Sequence, residues 1–374
     1  MAASPTDLST VVVAGGFATA FAFGMVASKV NFCTMGALSD VVNMGHWGRL
    51  RMWLLAIAVA IAGATVLRLG GWVDLPQAVA LRPQLPLLSL VVGGLLFGVG
   101  MTLSGGCANK NLLRLGAGSL RSLVVLVFMG LASYMTLKGL FGQWRVALLD
   151  PVRLDLAASG WADQGLATAA AQLFGLPAQQ ALMLSAGLVV LALLLFVLRD
   201  HEFRANPTQM LGGAALGLLV VCGWFVSGHL GYGESPETME NVYFATNTRT
   251  VESLSFVAPV AYTLELLMLW TDKSLRMTFG IASVLGIVAG AASHALAAGR
   301  FRWEGFGSLA DLRGQLVGAV LMGFGGVTAL GCTVGQGLTG VSTMAIGSFI
   351  AVAAIVAGCV GTLKWLAWKA DSDD

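Results

Sequence analysis

The sequence predicts an all-α polytopic membrane protein with about nine or ten transmembrane helices. Of its 374 residues, 57% are hydrophobic and only 11% are charged, whereas about a quarter of the residues of a soluble domain are charged. Several uncharged runs reach the roughly 20 residues that cross a bilayer as a helix. Composition and run length together exclude the soluble globular classes.

The uncharged runs place the spans along the chain. Five runs are each long enough for one span: residues 9–28, 83–109, 178–198, 205–229 and 277–299. Residues 314–363 form the longest run, 50 residues without Asp, Glu, Lys or Arg, which must contain two spans. Shorter candidates are residues 52–67, 122–137 and 253–271. Because the N-terminus lacks the basic region of a secretory signal, residue 9 onward is predicted to be a retained first helix.

The chain divides at the polar patch 199–206, RDHEFRAN. Each of the two parts ends with the same order of segments: a span, a Gly-rich segment that contains a cysteine, and another span. This plan predicts two related membrane halves, 1–200 and 201–374, with an interfacial insertion at 141–177. In transporters built from such repeats, the substrate site lies where the halves meet.

The two Gly-rich cysteine segments are nearly copies of each other. GGLLFGVGMTLSGGCANKN reaches Cys107, and GAVLMGFGGVTALGCTVGQG reaches Cys332. Four glycines have the same offsets from each cysteine, at 93, 98, 100 and 106 in one segment and at 318, 323, 325 and 331 in the other. About two such matches would occur by chance, so the likeness suggests a repeat. Cys33 shares part of the pattern, with Gly24 nine residues before it.

These segments are predicted to line a cavity. Irregular backbone within a membrane requires surrounding protein or water to satisfy its polar groups. Gly106 and Gly331 allow close backbone approach, and a helix beginning after each cysteine would present N–H groups to an anion. A thiol adds a weak donor that suits a sulfur-bearing ligand. The alternative is that the glycines only pack helices and that the cysteines are small apolar side chains.

Three further residues are candidates for the pathway. Lys110 either attracts anions to Cys107 or extends toward lipid headgroups. Glu265 is the clearest ionisable residue within a predicted span, so it is either functional or part of a structural salt bridge. Gln336 belongs to the GQG ending of the Cys332 segment.

Other function classes are not supported by the sequence. Five cysteines without a CxxC spacing or a matching His cluster argue against a zinc site and a disulfide framework. No GxxxxGK[ST] motif occurs, which argues against nucleotide-driven pumping. We therefore expect no metal, no cofactor, no catalytic residue and no nucleic-acid partner.

The segments NFCTMGALSD, GGLLFGVGMTLSGGC and GAVLMGFGGVTALGCTVGQG resemble the YeeE/YedE family of membrane proteins, in which thiosulfate uptake has been assigned. The resemblance covers about residues 21–360. It implies inverted repeats with short re-entrant helices and three cysteines along a central pathway, which would be Cys33, Cys107 and Cys332. It also implies a bacterial inner-membrane protein and a small TusA-type sulfur carrier as a separate partner. The chain departs from the usual GGCxTG pattern, because GGCANKN surrounds Cys107.

The predicted function is transmembrane uptake of thiosulfate, or a closely related inorganic sulfur anion, through a pathway lined by neutral thiols. The predicted substrate-binding residues are Cys33, Cys107, Cys332, Gly106, Gly331, Lys110, Gln336 and Glu265. One alternative is a membrane sulfurtransferase in which a cysteine attacks the outer sulfur and forms a persulfide. Another keeps transport but changes the cargo to sulfite, a selenium oxyanion or a sulfide species.

Overall fold

The computed structural model describes residues 5–235, 239–305 and 309–373. The fold is almost entirely helical, as predicted. The helices are α1 (Pro5–Lys29), α2 (Thr34–Met44), α3 (Gly48–Leu69), α4 (Leu87–Leu103), α5 (Ala108–Gly116), α6 (Leu120–Lys138), α7 (Leu140–Trp144), α8 (Leu166–Phe174), α9 (Ala178–Leu198), α10 (His201–Arg204), α11 (Pro207–Phe225), α12 (Val257–Met268), α13 (Phe279–Ala297), α14 (Leu309–Thr328) and α15 (Ile346–Asp373). Short π-helical segments occur at Arg145–Leu149, Val226–Leu230 and Gly335–Gly340.

Eight helical segments of the described residues are long and apolar enough to cross a membrane. Two other helices lie outside this set: α14, with 20 residues, and the apolar α12, which at 12 residues is too short to cross a bilayer alone. The uncharged run 314–363 contains two long helices, α14 and α15, joined by the π-helical segment Gly335–Gly340. The chain is thus a multi-pass membrane protein.

Two short antiparallel strand pairs are the only named paired strands of the described residues. Strand β1 (Gln84–Leu85) pairs with β2 (Leu154–Asp155), and β3 (Tyr232–Glu234) pairs with β4 (Asn241–Tyr243). Strand β2 belongs to the predicted insertion 141–177, where no helix reaches spanning length. Strands β3 and β4 lie in the polar segment that follows α11.

Capping residues explain why the chain breaks at the polar patch 199–206. The Asp200 side chain accepts the backbone N–H of Glu202 at 2.7 Å and so caps α10. The Asn206 side chain accepts the N–H of Gln209 at 3.2 Å, and Pro207 stands at the first helical position of α11. Both are ordinary helix-start signals, because Asp and Asn satisfy free N–H groups and proline lacks one.

Helices α4 and α14 pack against each other in antiparallel directions through glycines that the sequence repeat aligns. Gly93 contacts Gly325, and Gly100 contacts Gly318. A Cβ on Gly93 or Gly100 would come within 2.6 Å of the α14 backbone. Glycine is therefore required here, since small residues let two membrane helices approach at backbone distance.

Each helix of this pair also packs against a further helix through a glycine. Gly98 of α4 packs against the backbone of α15 around Ile355, and Gly323 of α14 packs against the backbone of α6 around Met129. Gly98 and Gly323 both lie nine residues before a cysteine, at 107 and 332. Gly24, nine residues before Cys33, packs in the same way on α13. All three cysteine segments therefore begin with a helix held against a neighbouring helix at the same offset.

Candidate functional site

The three cysteines occupy the same position in the same backbone motif. Each follows a long helix and directly precedes a short helical segment: α2 after Cys33, α5 after Cys107, and Gly335–Gly340 shortly after Cys332. The residue two positions before each cysteine adopts a left-handed conformation. These residues are Asn31 (φ 54°), Gly105 (φ 68°) and Leu330 (φ 59°). The left-handed residue reverses the chain, so that each cysteine is carried back toward the protein interior.

Two of the three sulfurs accept a hydrogen bond from the backbone N–H three residues ahead. Gly36 N–H donates to Cys33 Sγ at 3.3 Å, and Gly335 N–H donates to Cys332 Sγ at 3.3 Å. The Cys107 side chain makes no such bond at the start of α5. Because the sulfur acts as acceptor in these bonds, the S–H proton is left to donate elsewhere.

The three cysteine segments come together in the interior, where Cys33 and Cys107 are neighbours and the Cys332 segment approaches them through Thr333. The side chains of Cys33 and Cys107 are close enough to interact with each other, and the Thr333 side chain lies beside Cys107. Thr333 directly follows Cys332. The exposed fractions of Cys33, Cys107 and Cys332 are 6%, 1% and 0%. The cluster is therefore closed to bulk solvent on every side.

An amide side chain fastens the cysteine loop in both repeated segments. Asn111 Nδ2 donates to the carbonyl oxygens of Gly106, at 3.0 Å, and Cys107, at 3.2 Å. Gln336 Nε2 donates to the Ala329 carbonyl at 2.7 Å. Both amides lie four residues after their cysteine, so a comparison of offsets in the sequence could have found Asn111, which our sequence analysis did not identify.

A first cavity, of about 230 Å³, reaches the Cys332 loop. Its inner wall includes Gly331, Gly335 and Gln336, which the sequence analysis placed in the pathway or its motif. Its charged lining residues are Arg145 and Glu252. This first cavity therefore connects the Cys332 backbone to a region of nearly balanced charge.

A second cavity, of about 430 Å³, reaches the Cys107 loop. Its lining at the loop includes Ser104, Gly105 and Asn111. Its charged lining residues are Arg114, Arg121, Arg300 and Glu304. Three guanidinium groups against one carboxylate make this second cavity basic, which favours anions.

Lys110 adds to the positive charge beside Cys107. Its Nζ donates to Asn31 Oδ1 at 2.5 Å, so it bridges the Cys107 loop and the Cys33 loop. Lys110 and Arg114 both act electrostatically on Cys33, and Arg114 Nη1 also donates to the Gly105 carbonyl at 2.9 Å. The Lys110 side chain is therefore directed to the cysteine loops, although it lines neither of the two cavities.

Several buried polar atoms around the cluster make no hydrogen bond to any described residue. They are Thr333 Oγ1, Gln336 Oε1, Thr328 Oγ1, Trp53 Nε1 and both amide atoms of Asn109. A buried polar group without a partner costs about 1–3 kcal/mol. Such groups are available to bond to a ligand, and Asn109 belongs to the ANKN departure from the family pattern.

Glu265 lies apart from the cysteines. Its Oε1 pairs with Lys138 Nζ at 2.5 Å and accepts a bond from the Tyr134 hydroxyl at 3.2 Å. It lines neither of the two cavities. Of the two roles that the sequence left open, the structure shows the salt bridge, which joins α12 to α6.

Sequence reasoning did not identify Glu252, which lies between the β3–β4 hairpin and α12. Its carboxylate accepts the backbone N–H of Thr248 and the Thr248 hydroxyl, both at 2.6 Å. Burial raises the pKa of the Glu252 carboxyl above its ordinary value. The only sequence signal is its place just after the polar segment 228–250.

Comparison with known proteins adds independent evidence. A family model described as sulphur transport matches residues 29–361. The thiosulfate transporter TsuA of Spirochaeta thermophila is 26% identical over 357 residues, which are 95% of this chain and 98% of the relative. The thiosulfate transporter TsuA of Escherichia coli is 25% identical over 364 residues, 92% of each chain.

Proposed function

The chain belongs to the sulphur transport family, as its resemblance to the YeeE/YedE proteins indicated, and we propose that it carries thiosulfate or a closely related inorganic sulfur anion across the membrane. Two relatives that match it over nearly their whole length are named thiosulfate transporters. The observation that carries the proposal is the meeting of three buried cysteine segments between two cavities.

The proposed pathway runs from one cavity to the other through the thiols. From the first cavity the anion meets the Cys332 loop at Gly331 and Gly335. It then passes Thr333 to Cys107 and Cys33, whose side chains are neighbours. The second cavity begins at the Cys107 loop. In the structure this route is closed at the thiols, so transport requires the cluster to open.

Neutral thiols suit the chemistry of this cargo. Thiosulfate is a dianion, and its transfer from water to a protein interior requires polar groups that replace its hydration. The S–H groups would donate to its terminal sulfur, while backbone N–H groups and the Thr333 hydroxyl would donate to its oxygens. A thiolate would repel the dianion and attack its outer sulfur, since the thiolate is the nucleophilic form.

The proposal includes two inverted repeats, residues 1–200 and 201–374. Support comes from the reciprocal packing of α4 on α14, in which Gly93 contacts Gly325 and Gly100 contacts Gly318. A two-fold axis between the helices would exchange these contacts, because Gly93 and Gly318 share one offset and Gly100 and Gly325 share another. Transporters with inverted repeats place the substrate at the repeat interface.

The same proposal places the protein in the inner membrane of a bacterium. A separate TusA-type sulfur carrier is the partner we expect to receive the sulfur. This partner follows from the family resemblance, and a pull-down of the purified protein with such a carrier would test it.

The experiment that tests the function is uptake of labelled thiosulfate into proteoliposomes. We expect saturable uptake that unlabelled thiosulfate competes with more strongly than sulfite, selenite, sulfide or sulfate. Stronger competition by one of the other anions would assign that anion as the cargo. Absence of uptake for every anion would contradict transport.

The same preparation distinguishes transport from sulfur transfer. A sulfurtransferase would leave a persulfide on a cysteine, an added mass of about 32 Da, and would release sulfite in equal amount. Transport predicts unmodified protein and intact thiosulfate inside the vesicles. Persulfide with stoichiometric sulfite, and no intact thiosulfate inside, would identify an enzyme.

A further inference from the structure

A carboxylate stands in the first cavity, where the proposed pathway requires an anion to pass. Glu252 lines this cavity together with Gly331 and Gln336 of the Cys332 loop. An ionised carboxylate repels an anion at short range, and the repulsion is stronger in a partly buried cavity than in water. The position of Glu252 is therefore unfavourable to a dianion unless its charge is removed.

Glu252 is held firmly at this position. Its carboxylate accepts two bonds of 2.6 Å from Thr248. Its backbone N–H donates to Ser227 Oγ at 3.1 Å, and the Ser227 hydroxyl donates back to the Glu252 carbonyl. These bonds fix the residue between Thr248 and Val226–Leu230, so the side chain cannot withdraw from the cavity without breaking them.

The charged groups around Glu252 are engaged elsewhere. Among the described residues, no ion pair includes Glu252. Arg145, in the same cavity, pairs with Asp150 at 3.3 Å. From α12 the Tyr262 side chain lines the cavity, with the Lys138–Glu265 pair behind it. On the Val226–Leu230 segment, His229 Nδ1 bonds to the Trp72 carbonyl at 3.0 Å.

We propose that Glu252 takes up a proton when the anion occupies the first cavity, so that anion binding is linked to protonation of this residue. The inference rests on the proposed function, since it assumes that the anion enters this cavity. The linkage is reciprocal: the anion favours the protonated carboxyl, and the protonated carboxyl favours the anion. When protonated, Glu252 also offers an O–H donor to the anion.

The burial that raises the pKa of Glu252 supports this role, because it moves protonation toward neutral pH. Below the Glu252 pKa the carboxyl is neutral and binding is strong. Above it, binding requires proton uptake and weakens as pH rises.

The test measures thiosulfate binding to the purified full-length protein across pH. For the wild type, we expect the Kd to rise by up to about tenfold per pH unit above the Glu252 pKa. Addition of thiosulfate to a weakly buffered sample should also remove up to about one proton per chain from solution. For Glu252→Gln we expect a Kd that does not change with pH and no proton uptake.

A matched control is Glu234→Gln, which removes an exposed carboxylate of strand β3 that does not line the cavity. We expect it to keep the wild-type pH slope. If Glu252→Gln does not fold, proton uptake by the wild type still tests the linkage. The inference is overturned if wild-type binding is strong but independent of pH, or if Glu252→Gln keeps the slope. Failure of the wild type to bind thiosulfate at any pH would instead contradict the proposed function.

Discussion

The Cys107 loop and the Cys332 loop have the same backbone but different charge. Both follow a long helix, reverse through a left-handed residue and are fastened by an amide four residues later. Counted from the cysteines, however, Lys110 stands where the other loop has Gly335. The repeated geometry positions the thiols, and the residues that differ make the two ends of the proposed pathway unequal.

This inequality extends into the cavities. At the Cys107 loop, the second cavity has three arginines and one glutamate. At the Cys332 loop, the first cavity has one arginine and Glu252. The second cavity therefore attracts an anion through its positive charge. The first cavity binds the anion only when Glu252 is protonated, if Glu252 acts as proposed.

The largest effect should come from replacing the glycines at which α4 and α14 pack, because these contacts position the two cysteine loops. Gly93→Leu and Gly325→Leu each place a side chain against backbone, where even a Cβ would lie at 2.6 Å. We expect each to destabilise the protein by about 3 kcal/mol, measured as a lower melting temperature and a lower yield of monodisperse protein in detergent.

Gly187→Leu is the matched control, because a Cβ at Gly187 of α9 meets nothing within 4 Å. We expect near wild-type stability for it. If Gly93→Leu and Gly325→Leu are no more destabilising than this control, the reciprocal packing of α4 and α14 does not hold the loops together.

A smaller effect is expected from the charge that distinguishes the loops. Lys110→Gln removes the cation that acts on Cys33 and Cys107. We expect the KM for thiosulfate to rise about tenfold, which corresponds to about 1.4 kcal/mol, with little change in the maximal rate. The dependence of KM on salt should also weaken, since salt screens the attraction between charges.

Lys369→Gln, on the exposed end of α15, is the control for general charge and should leave the KM unchanged. An unchanged KM in Lys110→Gln would show that the lysine does not face the anion. In that case the difference between the loops would have no role in binding.

The sequence was sufficient for the membrane class and for the cysteine loops. Run length predicted two helices in 314–363, because an uncharged stretch of that length cannot be one span. The offsets of the glycines identified both loops, since close helix contacts and chain reversals restrict the residue type. The fastening amide at Asn111 was equally visible from the offsets.

The remaining site features depend on contacts between residues far apart in the chain. No local sequence pattern indicates that Cys33 lies next to Cys107, or that Glu252 lines the same cavity as the Cys332 loop. The sequence left two roles open for Glu265 because its partner, Lys138, lies on a different helix. Such pairings are set by tertiary packing, and a single sequence without a contact map does not specify them.

The most direct test of the central claim, that thiols from both loops line one pathway, is thiosulfate uptake by cysteine variants in proteoliposomes. We predict that Cys107→Ala and Cys332→Ala each lower the initial rate by about tenfold or more and that the double variant gives background uptake. Cys222→Ala, outside the three loops, should transport like the wild type. Wild-type uptake by a correctly folded Cys107→Ala/Cys332→Ala protein would contradict the account.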